Sequence, residues 1–266
     1  MRLHSAAIAA GYRLSSYETL PSTNAEALAL ARRGEAGRLW VTAAQQTAGR
    51  GRRGNEWISP PGNLYATLLL VDPAPAEAGP QLGFVTALAA YDAILVRAPA
   101  LRTALKLKWP NDVLCDGGKL AGILIESERV AEALAVAIGI GVNCRHHPAQ
   151  TAYPATDLAA AGAAVAPQDL LAALSYSMMK RLEQWQGGSG FAGIRADWLA
   201  RAVGIGGDMR VRLPGRELIG RGEALDEQGR LLLRLADDRI EAITAGEVFP
   251  LAATPAAPAP VTGRVG

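Results

Sequence analysis

The sequence predicts an α+β fold, a mixed β-sheet carrying helices, followed by a small β-barrel at the C-terminus. Three observations support it. Stretches of strand length recur at Arg13–Leu20, Leu39–Gln45, Leu64–Val71, Leu105–Trp109, Leu120–Ser127 and Ala133–Val142, most of them largely apolar. Helical patterns fall between and after them. From Gly206 the texture changes to short strands (MRVRL, ELIGRGEAL, RLLLRL, RIEAI) separated by turns, at the roughly 8–12-residue spacing of a small barrel. At 266 residues there is room for one large and one small domain. The expected division is residues 1–203, residues 204–252 and an Ala/Pro-rich disordered tail, 253–266.

Taken in order, Arg13–Leu20 reads as a strand ending at Pro21. Ser22-Thr23-Asn24 then opens a helix to about Arg33. Thr23-x-x-Glu26 matches a capping box, and Gly34 stands where a helix-ending glycine belongs. Leu39–Gln45 delivers the segment WVTAAQQTAGRGRRGNEW, and Ser59-Pro60-Pro61-Gly62 turns the chain into Leu64–Val71. Pro73–Pro80 is a connection, and Leu82–Val96 has the apolar spacing of a helix lying on the sheet. Leu105–Trp109 stops at Pro110-Asn111-Asp112, where proline forces Trp109 out of the α region and presents the Asn and Asp at a defined place. Leu120–Ser127 and Ala133–Val142 are strands joined by a charged turn, Glu128–Glu132. Gly122, Gly139 and Gly141 interrupt them, suggesting either the floor of a pocket or local bulges and tight packing. Beyond Asn143 the chain is loop-like to about Pro167. Helices follow at Gln168–Gln186 and Phe191–Ala202.

Net charge is +2, from 27 basic and 25 acidic residues, too balanced for a protein held to nucleic acid chiefly by phosphate neutralisation. Aromatic residues at 5% leave little stacking surface for single strands. Apolar runs such as Ala131–Ile140 are short and broken, so no membrane helix is expected. The N-terminus lacks the apolar core of a signal peptide. Two cysteines, Cys115 and Cys144, make no disulfide framework, which suits the cytoplasm.

The most informative stretch is Gly49-Arg50-Gly51-Arg52-Arg53-Gly54. Arginine's planar fork fits phosphate and carboxylate oxygens with paired hydrogen bonds. Glycine lets a backbone approach a ligand but orders a loop poorly. Crowded cations on such a backbone predict a loop that is mobile when empty and closes over an anion. Other motifs are incomplete. Gly117-Gly118-Lys119 lacks the Ser/Thr of a P-loop, and Gly139-Ile140-Gly141 lacks the third glycine of a dinucleotide fingerprint. Cys144-x-His146-His147 has no second ligand pair for zinc.

Together Ser22-Thr23-Asn24, Gln46 to Gly54 with Trp57, Lys108-Trp109-Pro110-Asn111-Asp112, Lys119-Leu120-Ala121-Gly122-Ile123-Leu124 and Gly139-Ile140-Gly141-Val142-Asn143 resemble a biotin–protein ligase in order and spacing. The resemblance implies a catalytic domain related to class II aminoacyl-tRNA synthetases and lipoate ligases, with an SH3-like barrel behind it. It implies the form without an N-terminal DNA-binding domain, since the Ser-Thr-Asn motif begins at residue 22, and hence no specific DNA binding. Asn55-Glu56 stands where many relatives continue the loop with a basic residue.

The implied reaction joins biotin's carboxylate to the α-phosphorus of ATP, with Mg²⁺, and then passes biotin to a lysine of a biotin carboxyl carrier domain. Cations are the remedy for bringing an anion onto a polyanion. By resemblance Lys119, Arg52, Arg50 and Asp112 are catalytic. Ser22, Thr23, Asn24, Gln46, Gly49, Arg50, Lys119, Gly122 and Gly139 hold biotin. Arg52, Arg53, Trp57, Asn111 and Asn143 hold ATP. Asp112 orients or deprotonates the acceptor lysine, or binds metal. The metal ligands, the particular carrier and a homodimeric state stay open. The rivals are a lipoate ligase and a nucleic-acid-binding module.

Overall fold

The computed structural model describes residues 1–149, 151 and 153–251. The tail expected at 253–266 lies outside them. The elements are α1 (Ser5–Ala9), β1 (Arg13–Leu20), α2 (Thr23–Arg32), β2 (Leu39–Gln46), β3 (Leu64–Val71), α3 (Leu82–Arg97), β4 (Leu105–Lys108), β5 (Asp112–Cys115), β6 (Gly118–Val130) and β7 (Ala133–Val142). They continue with α4 (Pro167–Trp185), α5 (Phe191–Leu199), β8 (Asp208–Leu213), β9 (Arg216–Leu225), β10 (Leu231–Arg234), β11 (Ile240–Ile243) and β12 (Glu247–Pro250). A seven-stranded mixed sheet has the order β1-β2-β3-β7-β6-β5-β4, parallel only between β1 and β2. The C-terminal strands form a five-stranded antiparallel sheet, β11-β10-β9-β8-β12.

Strand alternation splits the large sheet into two unlike faces. Trp40, Leu64, Ala66, Leu68, Val136, Ile138, Ile140 and Val142 face α3 and α4 and join the main core. Leu39, Val41, Ala43, Leu69, Ala135 and Ala137 face α2 and bury Ala27 and Ala31 in a smaller one. Helix α3 buries twelve of its sixteen residues. With the turn before it, Ala76–Arg97 has the length and apolarity of a membrane span, at mean hydropathy 1.3. The short apolar runs did not foretell this, but 67% of the apolar window is buried inside the fold, as in a core helix.

Several local expectations shift. The N-cap of α2 is Ser22, whose hydroxyl accepts from the Ala25 N–H at 3.4 Å. The Thr23–Glu26 box does not form, because the Thr23 hydroxyl binds Gln46 and Glu26 pairs with Arg33. Gly34, at φ +92°, ends the helix as expected. The turn expected over Glu128–Glu132 shrinks to Ala131-Glu132, since β6 and β7 stay paired to Val130 and Ala133. Strand β5 was not foreseen. Its four buried residues follow a cis Trp109–Pro110 bond and join β6 through Asp116 and Gly117, both at positive φ as a tight hairpin turn requires. The short α1 and β12 were also missed.

Candidate active site

Register lines up one row of residues across six strands: Ala43, Tyr65, Gly141, Gly122, Asp112 and Lys108. A second row runs Val41, Thr67, Gly139 and Leu124. Directly paired residues share a face, so both rows lie on the α2 side of the sheet. Where the middle of each row is glycine, the sheet carries no side chain and a trough results. A Cβ at Gly141 would fall 2.5 Å from the Trp57 indole, and one at Gly139 would fall 2.5 Å from Asn24 Oδ1. Both readings left open for these glycines hold: all three line a pocket, and Gly139 also admits Asn24 of α2 in close packing, as Gly141 admits Trp57. A cavity of about 540 Å³ stands over it.

At one end the lining is amide and hydroxyl. Thr23 donates from its N–H and hydroxyl to Gln46 Oε1, at 2.9 and 3.2 Å. Gln46 Nε2 donates to Ser59 Oγ at 3.0 Å. Thr67 Oγ1 lies 2.8 Å from Thr23 Oγ1 and 2.6 Å from Asn24 Oδ1. Asn24 Nδ2 donates to Leu124 O and to Glu126 Oε2.

At the other end the lining is charged. Lys119 Nζ is 2.7 Å from Asp112 Oδ1, and Lys108 Nζ is 3.0 Å from Oδ2. Asp112 and Lys108 are buried, whereas the Lys119 side chain is 30% exposed. Burial by itself would raise the Asp112 pKa, but the two ammoniums outweigh it and hold the carboxyl below its ordinary range. Lys108 also lies 3.9 Å above the Tyr153 ring, and Lys119 lies 5.5 Å from that of Trp57.

The glycine–arginine loop folds as a tight hairpin. Arg50 and Glu56 pair through their backbones, and Gly51 N–H donates to Asn55 O at 2.7 Å. Its arginines fan apart rather than crowd. Arg50 reaches Glu126, Arg52 donates to Asn111 Oδ1 at 3.2 Å, and Arg53 reaches across to the carbonyl of Arg212 at 3.3 Å. Arg52 is half-buried, and burial lowers its pKa despite the nearby Asp112 carboxylate.

All but two of the sequence-predicted site residues line this one cavity. Arg53 does not, because a positive φ of 58° turns it toward the C-terminal sheet. Gly49 lies at the loop's base, where a Cβ would collide with Trp57 O and Ser59 Oγ. Asn111 and Asn143 are engaged within the fold. Asn111 Nδ2 donates to Ile123 O, and Asn143 Nδ2 donates to Thr156 O at 2.9 Å. Sequence reasoning missed Lys108, Thr67, Glu126 and Tyr153. For Lys108 the signal existed, since it heads the KWPND motif. Cys144, His146 and His147 gather no metal site. Cys144 is buried with its thiol pushed up to about 12, and His147 Nδ1 pairs with Asp157 at 2.6 Å. Among the described residues no three His, Cys, Asp or Glu side chains are placed to hold a metal.

An amide-and-hydroxyl pocket opening onto fixed cations over a glycine floor has the chemistry to hold a small molecule with a polar ring and an anionic end. The biotin/lipoate A/B protein ligase family matches residues 13–143, and the biotin protein ligase C terminal domain matches residues 204–249. A biotin–[acetyl-CoA-carboxylase] ligase of Paracoccus denitrificans is 46% identical over 239 residues, covering 86% of this chain and 96% of the relative. The structure of the Aquifex aeolicus biotin protein ligase in complex with biotin and ATP superposes with a TM-score of 0.75 at 25% identity, over 89% of this chain and 97% of that one. The Leishmania major biotin protein ligase in complex with biotinyl-5-AMP gives 0.62 at 26% identity, over 88% and 99%. The chain belongs to the biotin protein ligase family and is an ATP-dependent ligase.

Proposed function

We propose that the chain activates biotin as biotinyl-5′-AMP and transfers it to a lysine of the biotin carboxyl carrier domain of acetyl-CoA carboxylase. The observation that supports this best is the glycine-floored row ending in Asp112 and Lys108, with Lys119 reaching Asp112 from beside it. Biotin is an apolar bicycle with one ureido group and a carboxylate tail, and such a ligand needs an apolar slot with a few exact polar partners. Ser22, Thr23, Gln46 and the bare backbone of Gly122 and Gly139 supply that slot. The tail then runs toward Arg50 and Lys119. Trp57, Arg52 and Asn143 form the nucleotide side.

In the first half-reaction a biotin carboxylate oxygen bonds to the α-phosphorus, and the bond from that phosphorus to pyrophosphate breaks. Two anions must meet, so preorganised positive charge lowers the barrier. Lys119, the most exposed member of its triad, leaves Asp112 for the developing charge, while Lys108 stays and keeps Asp112 compensated. Mg²⁺ carried on the triphosphate would supply further charge neutralisation there. Both Asp112 oxygens are already taken by ammoniums, so this carboxylate is a poor resident metal ligand. In the second half-reaction the carrier amine attacks the acyl carbon, the carbon–oxygen bond to AMP breaks, and the amine proton is lost. An acceptor ammonium starts near pKa 10.4. A carboxylate with a depressed pKa is a weak base, so Asp112 orients the amine and solvent takes the proton.

The two sheets read as a catalytic domain of class II synthetase ancestry, residues 1–203, and an SH3-like barrel, 204–252, in a cytoplasmic enzyme without specific DNA binding. The charged row also favours biotin ligation over a nucleic-acid contact. The test is biotin-dependent exchange of labelled pyrophosphate into ATP. Exchange with biotin and not with lipoate is expected. Exchange with lipoate alone, or with neither, would overturn the reading.

A further inference from the structure

The ring end of the cavity and the glycine–arginine loop are joined by one hydrogen-bonded chain. Gln46 binds Thr23, Thr23 meets Thr67, Thr67 meets Asn24, Asn24 donates to Glu126, and Glu126 holds Arg50. Glu126 is the sole carboxylate in that chain and the point where it passes from the sheet to the loop, whose Arg52 and Arg53 are anchored separately, on Asn111 and on Arg212 O. It stands on β6 opposite Ala137, its side chain 30% exposed. We infer that Glu126 is a positioning residue for the ligation. It tethers the loop through Arg50 and tells the loop, through Asn24, that the ring end is occupied.

The hydrogen-bond geometry carries the first part. Only Arg50 Nη2 contacts Glu126, at 3.0 Å from each carboxylate oxygen. A fork-to-fork pair would spend two nitrogens on the carboxylate. Here Nη1 and Nε keep their N–H groups, and Arg50 lines the cavity. The tether therefore fixes the guanidinium without consuming the edge an anion needs. It also offsets the cost of placing a cation in the loop before any anion arrives. The second part follows from shared atoms. Asn24 Oδ1 stands over Gly139 in the floor, while its Nδ2 holds Glu126 Oε2 at 2.8 Å. Asn24 lines the cavity, so a ring seated against it bears on the amide that aims the carboxylate. Arg50 is thereby settled before the second anion binds.

This rests on the biotin-ligase reading, so the test has one arm independent of it. Glu126→Gln keeps the shape and an oxygen for Arg50 but removes the charge. Without ligands, trypsin cleavage after Arg50, Arg52 and Arg53 should speed up about tenfold, the worth of a charge-assisted hydrogen bond, at unchanged melting temperature. With biotin and ATP, the variant should release free biotinyl-AMP into solution faster than the parent, with the KM for biotin little changed and kcat for carrier biotinylation reduced. Glu126→Asp, too short to reach both partners, should behave like the glutamine variant. Parent-like cleavage together with parent-like retention of the adenylate would overturn the inference. If the parent itself showed no biotin-dependent pyrophosphate exchange, the functional reading would fail instead, and the ligand-free cleavage arm would still judge the tether.

Discussion

The two faces of the large sheet share strands, register and length, yet they carry opposite chemistry. On the α3 side, Leu68 pairs with Ile138, Ala66 with Ile140 and Leu64 with Val142, all buried in a dry core. One residue along each strand, the α2 side has Thr67 beside Gly139 and Tyr65 beside Gly141, and the two glycines and Tyr65 line a cavity. A period of two lets a strand serve stability with one set of residues and ligand binding with the other. The site face can therefore hold glycines, threonines and ions that would ruin a core, because the opposite face supplies the burial.

The widest test of this division is Asp112→Asn, the site-face change that should also damage the fold. It would leave Lys108 buried without its counter-ion, and losing one partner of a buried pair costs about 3–5 kcal/mol. The Asp112 carboxyl is held below its ordinary range, so its contribution is complete above the unfolded pKa of about 3.9. It is lost as pH falls through the lower folded value. Denaturant titrations should thus show a constant gap between the two proteins from about pH 5 to 8, closing only below the ordinary carboxylate pKa.

Lys119→Ala should separate the faces cleanly in the other direction. Removing one preorganised cation should slow adenylate formation about 10²–10³-fold, while thermal unfolding stays within about 2 °C of the parent because the lysine is part-exposed. A near-normal pyrophosphate exchange rate would mean the charged end of the row is structural.

Leu68→Ala is the mirror experiment. A buried leucine cut to alanine should cost about 3 kcal/mol by equilibrium unfolding, with the KM for biotin unaltered; a raised KM would mean the faces are coupled. The smallest effect concerns the joint between the sheets, where Trp109 Nε1 donates to Gly229 O at 3.1 Å. Trp109→Phe removes that bond and should cost about 1 kcal/mol, read as a lower melting temperature.

How much was legible in the sequence follows from how local each feature is. The strands β3 and β7 were readable to the residue because each is a nearly continuous apolar run, while β1 was bounded by the Pro21 that stops it. The loop arginines, Lys119 and Asp112 were readable because their motifs are short and chemically specific. The three floor glycines were visible as interruptions, but which side chains they admit was not. That depends on Gly141 facing Tyr65 and Gly122, a register set by residues up to 76 positions apart. Glu126, Thr67 and Tyr153 lie outside the motifs and become neighbours of the site only through such pairing. Strand β5 is too short for its pattern to register. Arg53 sits among identical neighbours, and only its backbone turn distinguishes it from Arg50 and Arg52.

The central claim is that the α2 face of this sheet, beneath residues 49–57, receives biotin and nucleotide together. A crystal structure of the protein with biotin and ATP tests it most directly. The account predicts the bicycle on Gly122 and Gly139 beside Thr23 and Gln46, with Lys119 at the new acyl–phosphate bond. A ligand bound away from that trough, with the glycine floor still covered by Trp57, would contradict it.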